Sequence, residues 1–493
     1  MTSIRLRQLG RTGVLAALLG FAAAAHADLA SLFTNVTHAT TTAIPRRSSI
    51  IFIQCNGLGY GDLSCYGQTK FQTPNLDRLA AEGIRFTSYY AGDAASSPSR
   101  AVLLSGRDSG RLRQRADVDI ALAPDENNVV RLLKNSGYHT GLIGEWSLGD
   151  EPWTQGFDEF AGFVNSDEGQ NYYADYLWRY APKAIVDTTN NRFYDFIGKE
   201  ELYPNTGDKM VQYLPDVFTT AALNFVKNNQ PDQFNHHRPF FLLLDYPTPR
   251  PDTLGTNRFP VPTDAPFSDE QWPQPAKNRA AMIARLDGDI GKLLDQLKTI
   301  GMTNNVAIFF SSDTGPQNAA GAESKFFQST GGLRGGRGEL YEGGLRVPLI
   351  VRWPGNIPAG GLDDLPVGAW DIAPTLLDIA FARPAPNFDG TSLLPVLAGS
   401  PQLQPHEVFF RWELRGNDIA QAARYGDWKI VRSKTDAAWE LYHLKTDPNE
   451  TENVADKNPD IVKLIEAASK NFDATGRRAV WPAQISTNGN SNL

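Results

Sequence analysis

The sequence predicts an α/β protein: a doubly wound, mostly parallel sheet flanked by helices, followed by a smaller C-terminal antiparallel α+β domain. Short apolar runs recur at wide intervals with helical patterns between them, as in parallel sheets that helices cover on both faces. Past about Leu365, short amphipathic strands follow one another directly, which is typical of an antiparallel sheet. The 493 residues are 41% hydrophobic, enough for a large core in two or three domains.

Short apolar runs are the predicted strands of the large sheet. They are Ile50–Ile53, Thr140–Ile143, Phe240–Leu244, Val306–Phe310 and Pro348–Val351. Because each run is apolar throughout, each is expected to be a parallel strand that is buried on both faces.

Helical patterns lie between these strands. The clearest one starts at Thr73 and Pro74, a Thr N-cap followed by a proline at the first helical position, and it ends near Gly83. A longer helix is expected over Lys277–Ile300, because apolar residues recur there at helical spacing.

The C-terminal domain is predicted to contain two helices and three strands. The helices are Asp371–Ala380 and Asp460–Phe472, and the strands are Glu407–Leu414, Gln421–Arg432 and Trp439–Leu444. Two further segments, 182–210 and Pro247–Pro275, carry turn signals or many prolines and are expected to be surface loops.

The first residues have the pattern of a signal peptide. Arg5, Arg7 and Arg11 precede an apolar run of about a dozen residues, too short for a bilayer, and Ala25-His26-Ala27 has the small residues of a cleavage site. We therefore expect export, to the periplasm or outside the cell. The expected organisation is a signal peptide over 1–27, a linker over 28–47, the α/β domain over 48–364, the C-terminal subdomain over 365–475 and a tail over 476–493.

Charge and cysteine content argue against several classes of protein. The net charge is −8, with acids and bases interspersed, so nucleic acid is not an expected partner. No later segment is long and apolar enough for a membrane span. The two cysteines, Cys55 and Cys65, are expected to be small buried side chains, because one pair is not a disulfide framework.

A set of short motifs occurs in a fixed order along the chain. The motifs are Asn56-Gly-Leu-Gly-Tyr-Gly-Asp-Leu63, Ser96-Ser-Pro-Ser-Arg100, Gly141-Leu-Ile-Gly-Glu-Trp-Ser-Leu-Gly149, Ser312-Asp-Thr-Gly-Pro316, Leu333-Arg-Gly-Gly-Arg337 and Tyr425-Gly-Asp-Trp-Lys429. Taken together they resemble the arylsulfatase branch of the sulfatase family, in the alkaline phosphatase superfamily, over about residues 48–475. Each motif alone is weak evidence, and the ordered set is strong evidence.

The resemblance implies a sulfuric ester hydrolase. Such enzymes use a formylglycine nucleophile made from Cys or Ser, a divalent cation that is usually calcium, and lysine and histidine side chains that neutralise the sulfate and protonate the leaving oxygen. Asn56 and Asp313 each follow a predicted strand directly, so both are expected at the sheet edge where such groups converge.

The implied metal-ligand positions are degenerate. Where the family has two successive aspartates, this chain has Asn56 and Gly57, and where the family has Asp-Asn or Asp-His it has Asp313 and Thr314. One carboxylate falls short of the roughly six to eight oxygens that calcium prefers. No cofactor is therefore expected, with calcium as the alternative if Glu145 supplies a carboxylate to a rearranged site.

The implied nucleophile motif is retained. Ser96 stands at the nucleophile position, which some bacterial sulfatases also fill with serine, and Arg100 is intact. Ser96 is either a formylglycine precursor or, as we favour, the N-cap of a helix that starts near Pro98. Arg100 either binds an anion or pairs with Asp313 or Glu145.

The implied substrate-binding positions have changed. The family's Lys-Trp-His is Glu145-Trp146-Ser147, the histidine expected after the third apolar run is Arg250, and the lysine of the Gly-rich segment is Arg337. The general acid and part of the sulfate clamp are thus replaced. The two arginines either clamp an anion or fill the space of the earlier side chains.

The charges at these positions balance without a metal. Glu145 and Asp313 contribute −2, and Arg100, Arg250 and Arg337 contribute +3, which leaves +1. Such compensation is expected of a buried site that has lost a cation, because unpaired buried charge is costly.

The sequence therefore predicts an exported pseudo-sulfatase that binds sulfated or anionic glycans. The alternative is an active Ser-type sulfatase or related ester hydrolase that works through Ser96, Arg100, Glu145 and Asp313. A third interpretation is an inert partner subunit that stabilises an active relative.

Overall fold

The computed structural model describes residues 47–112, 122, 127–187, 192–207, 209–231, 238–252, 258–317, 322–384, 388–399, 409–415 and 418–475. From Ser48 onward the described residues belong to one compact unit. The predicted signal peptide, the predicted linker apart from Arg47, and the predicted tail lie outside the described residues. No described helix is both long enough and apolar enough to cross a bilayer.

The described strands form three sheets. In chain order the strands are β1 (Ser49–Cys55), β2 (Ile84–Phe86), β3 (Tyr89–Tyr90), β4 (His139–Glu145), β5 (Glu159–Phe163), β6 (Tyr176–Asp187), β7 (Arg192–Glu201), β8 (Phe240–Tyr246), β9 (Val306–Ser312), β10 (Leu349–Arg352), β11 (Gly361–Asp363), β12 (Val367–Gly368), β13 (Phe409–Arg415), β14 (Ile419–Tyr425), β15 (Trp428–Arg432) and β16 (Glu440–His443).

The described α-helices lie between these strands and at the C-terminal end. They are α1 (Pro74–Ala81), α2 (Ser96–Ser105), α3 (Val129–Asn135), α4 (Leu214–Asn228), α5 (Gln274–Thr299), α6 (Ala322–Phe326), α7 (Glu342–Leu345), α8 (Ile372–Ile379), α9 (Leu394–Leu397) and α10 (Pro459–Thr475).

The large sheet has the strand order β11-β2-β10-β9-β1-β8-β4-β5-β6-β7 among the described residues. Its centre is parallel, because β9, β1, β8, β4 and β5 pair in register in one direction. This confirms the predicted α/β class. The parallel prediction was wrong for the last apolar run: β10 is antiparallel to β9, with Leu349 opposite Ser311. An apolar run indicates burial on both faces and does not fix strand direction.

Helices cover both faces of this sheet. In β1, Ile50 and Phe52 pack into one core layer, and Ile51 and Ile53 pack into the other. Helices α2, α3 and α8 contribute to the first layer, and α1, α4 and α5 to the second. Burial on both faces is why the central strands read as continuous apolar runs.

The helix beginning at Pro74 is confirmed, with Thr73 as its N-cap residue. The Thr73 side chain, however, makes no capping hydrogen bond to the helix. Thr73 Oγ1 instead accepts a hydrogen bond from the Ser64 backbone N–H at 3.0 Å. A neighbouring turn thus competes for the hydroxyl. The long predicted helix is found as α5.

The C-terminal domain is an antiparallel sheet of β13, β14, β15 and β16 with α10 packed on it, as predicted in kind. The number of strands was wrong, because Gln421–Arg432 was predicted as one strand and forms β14 and β15. The two pair as a hairpin, with Tyr425 opposite Trp428. Gly426 turns the chain with a φ of 55°, a conformation that glycine adopts readily.

The predicted loop over 182–210 was also wrong. Strands β6 and β7 form a long antiparallel hairpin at the end of the large sheet, and a register shift lies between Ala181 and Ile185. Edge strands with one solvated face mix polar and aromatic residues, so they lack the clear apolar runs of the central strands. The described part of the proline-rich segment carries no helix or strand before α5, as expected.

Candidate functional site

Polar side chains meet at the carboxyl edge of the central parallel strands. Asn56 follows β1, Glu145 ends β4, Asp245 lies near the end of β8, and Asp313 follows β9. The Asp313 backbone N–H donates to the Cys55 carbonyl at 2.9 Å, so the ends of β1 and β9 are adjacent. The edge predicted from the sequence is therefore the place where these side chains converge.

The two polar side chains at the implied metal positions, Asn56 and Asp313, already have partners. Arg337 Nη1 donates to Asn56 Oδ1 at 2.7 Å. Asp313 Oδ1 accepts from the Gly57 N–H at 3.0 Å and from Thr314 Oγ1 at 3.2 Å. Gly57 has a φ of 74°, a left-handed conformation that aspartate tolerates less well than glycine.

Ser96 is the first residue of α2, and its predicted role as N-cap was wrong. The N-cap is Ala95, which is extended, with φ −117° and ψ 146°, and no side chain caps this helix. Ser96 Oγ is buried and has no hydrogen-bond partner among the described residues. The hydroxyl is thus buried and unused by the helix.

Arg100 is the centre of the site. Its Nε and Nη2 donate to the two carboxylate oxygens of Asp245 at 2.8 and 2.9 Å. Its Nη1 lies 3.4 Å from Asp313 Oδ2 and 3.8 Å from Glu145 Oε1. Arg100 therefore contacts both carboxylates that the sequence suggested as partners, and it binds a third one more closely.

Asp245 is the site residue that the sequence analysis missed. It is 1% exposed and lies one residue before the end of β8, at the same edge as the others. The signal was available, because a carboxylate at the end of an otherwise apolar central strand must point to a polar neighbour. The family comparison hid it, since the resemblance assigns no function to that position.

Glu145 is bound by Arg250 and by its own neighbour. Arg250 Nη1 donates to Glu145 Oε1 at 2.9 Å, and Ser147 Oγ donates to the same oxygen. Asn56 Nδ2 lies 3.4 Å from Glu145 Oε2. Ser147 has a φ of 51°, so the chain bends back at this point and brings its hydroxyl to Glu145.

Burial and the neighbouring opposite charges act in opposite directions on the pKa values of the site. Burial alone would lower the pKa of Arg100, but Asp245, Glu145 and Asp313 raise it above its usual value. Burial would raise the pKa of Glu145, but Arg250 and Arg100 lower it. For Asp245 burial dominates and raises the pKa to about 7, although Arg100 opposes the change.

We call the cluster of Arg100, Arg250, Arg337, Glu145, Asp245 and Asp313 the arginine pocket. Three guanidinium groups give +3 and three ionised carboxylates give −3, so the net charge is zero. The charge count from the sequence left a surplus of +1, and the ionised carboxylate of Asp245 cancels that surplus. Protonation of Asp245 restores the charge of +1.

The residues at the implied calcium positions do not fit calcium as they stand. Calcium needs about six to eight oxygen ligands, and here a guanidinium contacts the remaining oxygens of Asn56 and Asp313. The described residues contain no group of three or more His, Cys, Asp or Glu side chains arranged to hold a metal ion.

Some hydrogen-bond donors of the arginine pocket remain unused and could bind a ligand. Arg250 Nε and Nη2 are buried and have no hydrogen-bond partner among the described residues. A cleft beside Gly57 is lined by Arg250, Arg258, Arg279 and Arg337, and its water-accessible volume is about 10 Å³. Gly169 closes the pocket on another side: a Cβ there would lie 3.2 Å from Glu145 and 3.3 Å from Arg250 Nη2.

Comparison with known proteins assigns this chain to a family of sulfuric ester hydrolases. The Sulfatase family model matches residues 48–382, and the model for the C-terminal region of N-sulphoglucosamine sulphohydrolase matches residues 337–475. The chain belongs to the sulfatase family.

Individual relatives agree with this assignment. N-acetylgalactosamine-6-sulfatase of Canis lupus familiaris is 30% identical over 435 residues, which cover 83% of this chain and 76% of the relative. Arylsulfatase A of Homo sapiens is 30% identical over 467 residues, covering 86% and 87%. The crystal structure of Ps i-CgsB in complex with k-i-k-neocarrahexaose superposes with a TM-score of 0.70 at 26% identity, covering 89% of this chain and 95% of that one.

Proposed function

We propose that this chain is an exported sulfatase-family protein that no longer hydrolyses sulfate esters and binds an acidic sugar in the arginine pocket. The proposal rests on the three carboxylates that surround Arg100 and on the hydrogen bond from Arg337 to Asn56. In this arrangement guanidinium groups contact Asn56 Oδ1 and Asp313 Oδ2, which the family resemblance assigns to a metal.

The missing chemistry supports inactivity. The described groups that bond one another in the arginine pocket include no histidine and no lysine. Arginine stays protonated, so it cannot donate a proton to a leaving oxygen at neutral pH. General acid catalysis is typically worth about 10²–10⁴-fold and a metal several kcal/mol more, so loss of both removes most of the rate.

The remaining donors support binding. Arg250 Nε and Nη2 and the Ser96 hydroxyl are buried polar groups without partners among the described residues, and leaving such groups unsatisfied costs free energy. A sulfate or carboxylate group accepts from such donors directly, and arginine suits planar or paired oxygens. The relatives include N-acetylgalactosamine-6-sulfatase, which supports a sulfated amino sugar as a probe.

The binding test uses N-acetylgalactosamine 6-sulfate and a chondroitin 6-sulfate hexasaccharide in calorimetric titrations. We expect wild type to bind with modest, salt-sensitive affinity, since the pocket is neutral with its three carboxylates ionised and gains one positive charge only when Asp245 takes up a proton. Arg250→Ala should weaken binding at least tenfold. Arg78→Ala removes an equal charge from an exposed pair with Asp295 and should leave binding unchanged. Equal affinities in wild type and Arg250→Ala would overturn the proposal.

The activity test separates binding from hydrolysis. The protein is produced with and without a serine-type maturase, the mass of the Ser96 peptide is measured, and turnover of aryl sulfates is assayed. We expect unmodified serine and no turnover above background. Hydrolysis that Ser96→Ala abolishes would instead establish the active-enzyme alternative.

Export is part of the same proposal and is supported by the signal-peptide pattern. Expression of the full chain followed by N-terminal sequencing of the mature protein is expected to show cleavage after Ala27. A mature protein that keeps Met1 in the cytoplasm would contradict this part alone.

A further inference from the structure

A row of aromatic side chains lies on one face of the edge hairpin. Tyr176, Trp178 and Tyr180 alternate along β6, so they point to the same side of the sheet. All three are partly exposed. Trp153 extends the row, with its ring centroid 5.7 Å from that of Tyr180 and an interplanar angle of 32°. We call these four side chains the aromatic strip.

The aromatic strip is connected to the arginine pocket by one short segment. Tyr176 Oη and Trp178 Nε1 both donate to Glu168 Oε1, at 2.8 and 3.3 Å. The next residue is Gly169, whose position lies against Glu145 and Arg250. The strip thus begins beside the segment that forms one wall of the pocket, and from Tyr176 to Tyr180 it extends roughly 13 Å along the strand.

Polar groups lie along the same face. Lys199 of β7 is opposite Trp178, and its Nζ lies 3.7 Å from the ring centroid of Tyr176 and 5.3 Å from that of Trp178. Glu168 Oε2 is buried and has no hydrogen-bond partner among the described residues. The strip therefore combines partly exposed rings, three of which also pack against the hydrophobic core, with one ammonium group over two of the rings and one buried carboxylate oxygen beside them.

This combination matches a particular ligand chemistry. A pyranose ring has apolar C–H faces and a rim of hydroxyl groups, so its face packs on aromatic rings while its hydroxyls reach polar groups beside them. Glu168 accepts from a hydroxyl, and Lys199 pairs with a sulfate or carboxylate substituent. Because Tyr and Trp rings have few rotatable bonds, ordering them on a ligand costs little entropy.

We propose that the aromatic strip binds the sugar rings of an acidic oligosaccharide whose terminal anionic group occupies the arginine pocket. The inference rests on the proposed function, because the pocket provides the anchor from which the chain extends along β6. It adds a second binding site, one that recognises chain length, to a pocket that recognises charge.

The test compares the sulfated monosaccharide with the hexasaccharide, as chain length separates the two sites. Wild type is expected to bind chondroitin 6-sulfate hexasaccharide at least tenfold more tightly than N-acetylgalactosamine 6-sulfate. Trp178→Ala should lose most of that difference and keep the affinity for the monosaccharide. Tyr194→Ala is the matched control: Tyr194 is 46% exposed and lies on the opposite face of the hairpin, so its loss should change neither affinity.

Lys199→Gln is a second variant of the strip, used in case Trp178→Ala does not fold, and the melting temperature of each variant is recorded. Lys199→Gln should weaken binding of the hexasaccharide only, and it should reduce the salt dependence of that binding. If Trp178→Ala and Lys199→Gln bind both probes like wild type while Arg250→Ala does not, the strip is structural and the proposed function stands. If instead Trp178→Ala weakens binding of the hexasaccharide and Arg250→Ala has no effect, the strip binds sugar and the arginine pocket does not bind the anion. Absence of binding by wild type overturns both.

Discussion

Replacing Arg100 by alanine tests whether a guanidinium holds the carboxylates of the pocket together. The variant leaves Asp245, Glu145 and Asp313 facing one another around the vacated space, with distances of 2.8–3.8 Å from each carboxylate to the original guanidinium. The charge of the arginine pocket changes from zero to −1 if all three carboxylates stay ionised. The folded state is then destabilised by repulsion among them.

The expected loss of folding free energy follows from the burial of the Arg100–Asp245 ion pair. Arg100 and Asp245 are 3% and 1% exposed, and removing one partner of such a pair typically costs about 3–5 kcal/mol, because the other charge stays buried and unpaired. The same change brings carboxylates together without a cation among them. Calcium prefers carboxylate oxygens, so the variant is expected to gain calcium binding that wild type does not show.

The assay is the melting temperature with and without millimolar calcium, and the free energy of unfolding by denaturant. Wild type should not respond to calcium. Arg100→Ala should melt lower and recover part of the loss, about 2.7 kcal/mol if calcium is at 100 times its dissociation constant. Arg279→Ala is the matched control, since Arg279 forms a buried two-bond pair with Asp62 at 2.9 and 2.6 Å. It should be destabilised equally and not respond to calcium.

Two results would refute this reasoning. A rise in the melting temperature of wild type with calcium would mean that the metal binds with Arg100 in place. Identical calcium responses of Arg100→Ala and Arg279→Ala would mean that the three carboxylates do not form a cation site when the guanidinium is removed.

Three further predictions use four variants. Ser96→Ala should leave the free energy of unfolding unchanged or raise it, whereas Ser99→Ala should lower it by about 1 kcal/mol, since Ser99 Oγ accepts from the Gly92 N–H at 3.1 Å; denaturant titration compares the two. In wild type, the affinity for N-acetylgalactosamine 6-sulfate should rise as the pH falls through about 7. The raised pKa of Asp245 lets this carboxylate take up a proton in that range, which leaves the pocket with a charge of +1. In Asp245→Asn the affinity for the same ligand should be high and independent of pH. Gly169→Ala should weaken the same ligand severalfold with under about 1 kcal/mol of destabilisation, because the added methyl group crowds Glu145 and Arg250.

The central fold was predictable from sequence because burial and periodicity coincide there. Strands β1, β8 and β9 are buried on both faces and appear as apolar runs, and α5 carries an apolar face of helical spacing. The hairpin of β6 and β7 was missed for the opposite reason. Its outer face is aromatic and polar, so its pattern resembled a loop.

The candidate site was predictable wherever a motif position marked it. The sequence placed Asn56 and Asp313 at one sheet edge, and it suggested that Arg100 pairs with Asp313 or Glu145. It could not show that Asp245 takes the closest contact with Arg100, because that choice depends on side-chain geometry at the end of β8. It also gave Ser96 a capping role that Ala95 takes through backbone conformation alone.

The geometry also explains why restoring family residues one at a time would not rebuild a calcium site. An aspartate at Asn56 would meet Arg337, which already donates to that side chain, and the pair would form a salt bridge in preference to binding calcium. An aspartate at Gly57 would have to adopt a φ of 74°, which costs side-chain-bearing residues about 1–2 kcal/mol. A guanidinium and a metal compete for the same oxygen, so Arg337 must be replaced before a carboxylate at position 56 can act as a ligand. We therefore expect Arg337 to oppose calcium binding in addition to the missing aspartates, whereas Arg100 is retained from the family motif.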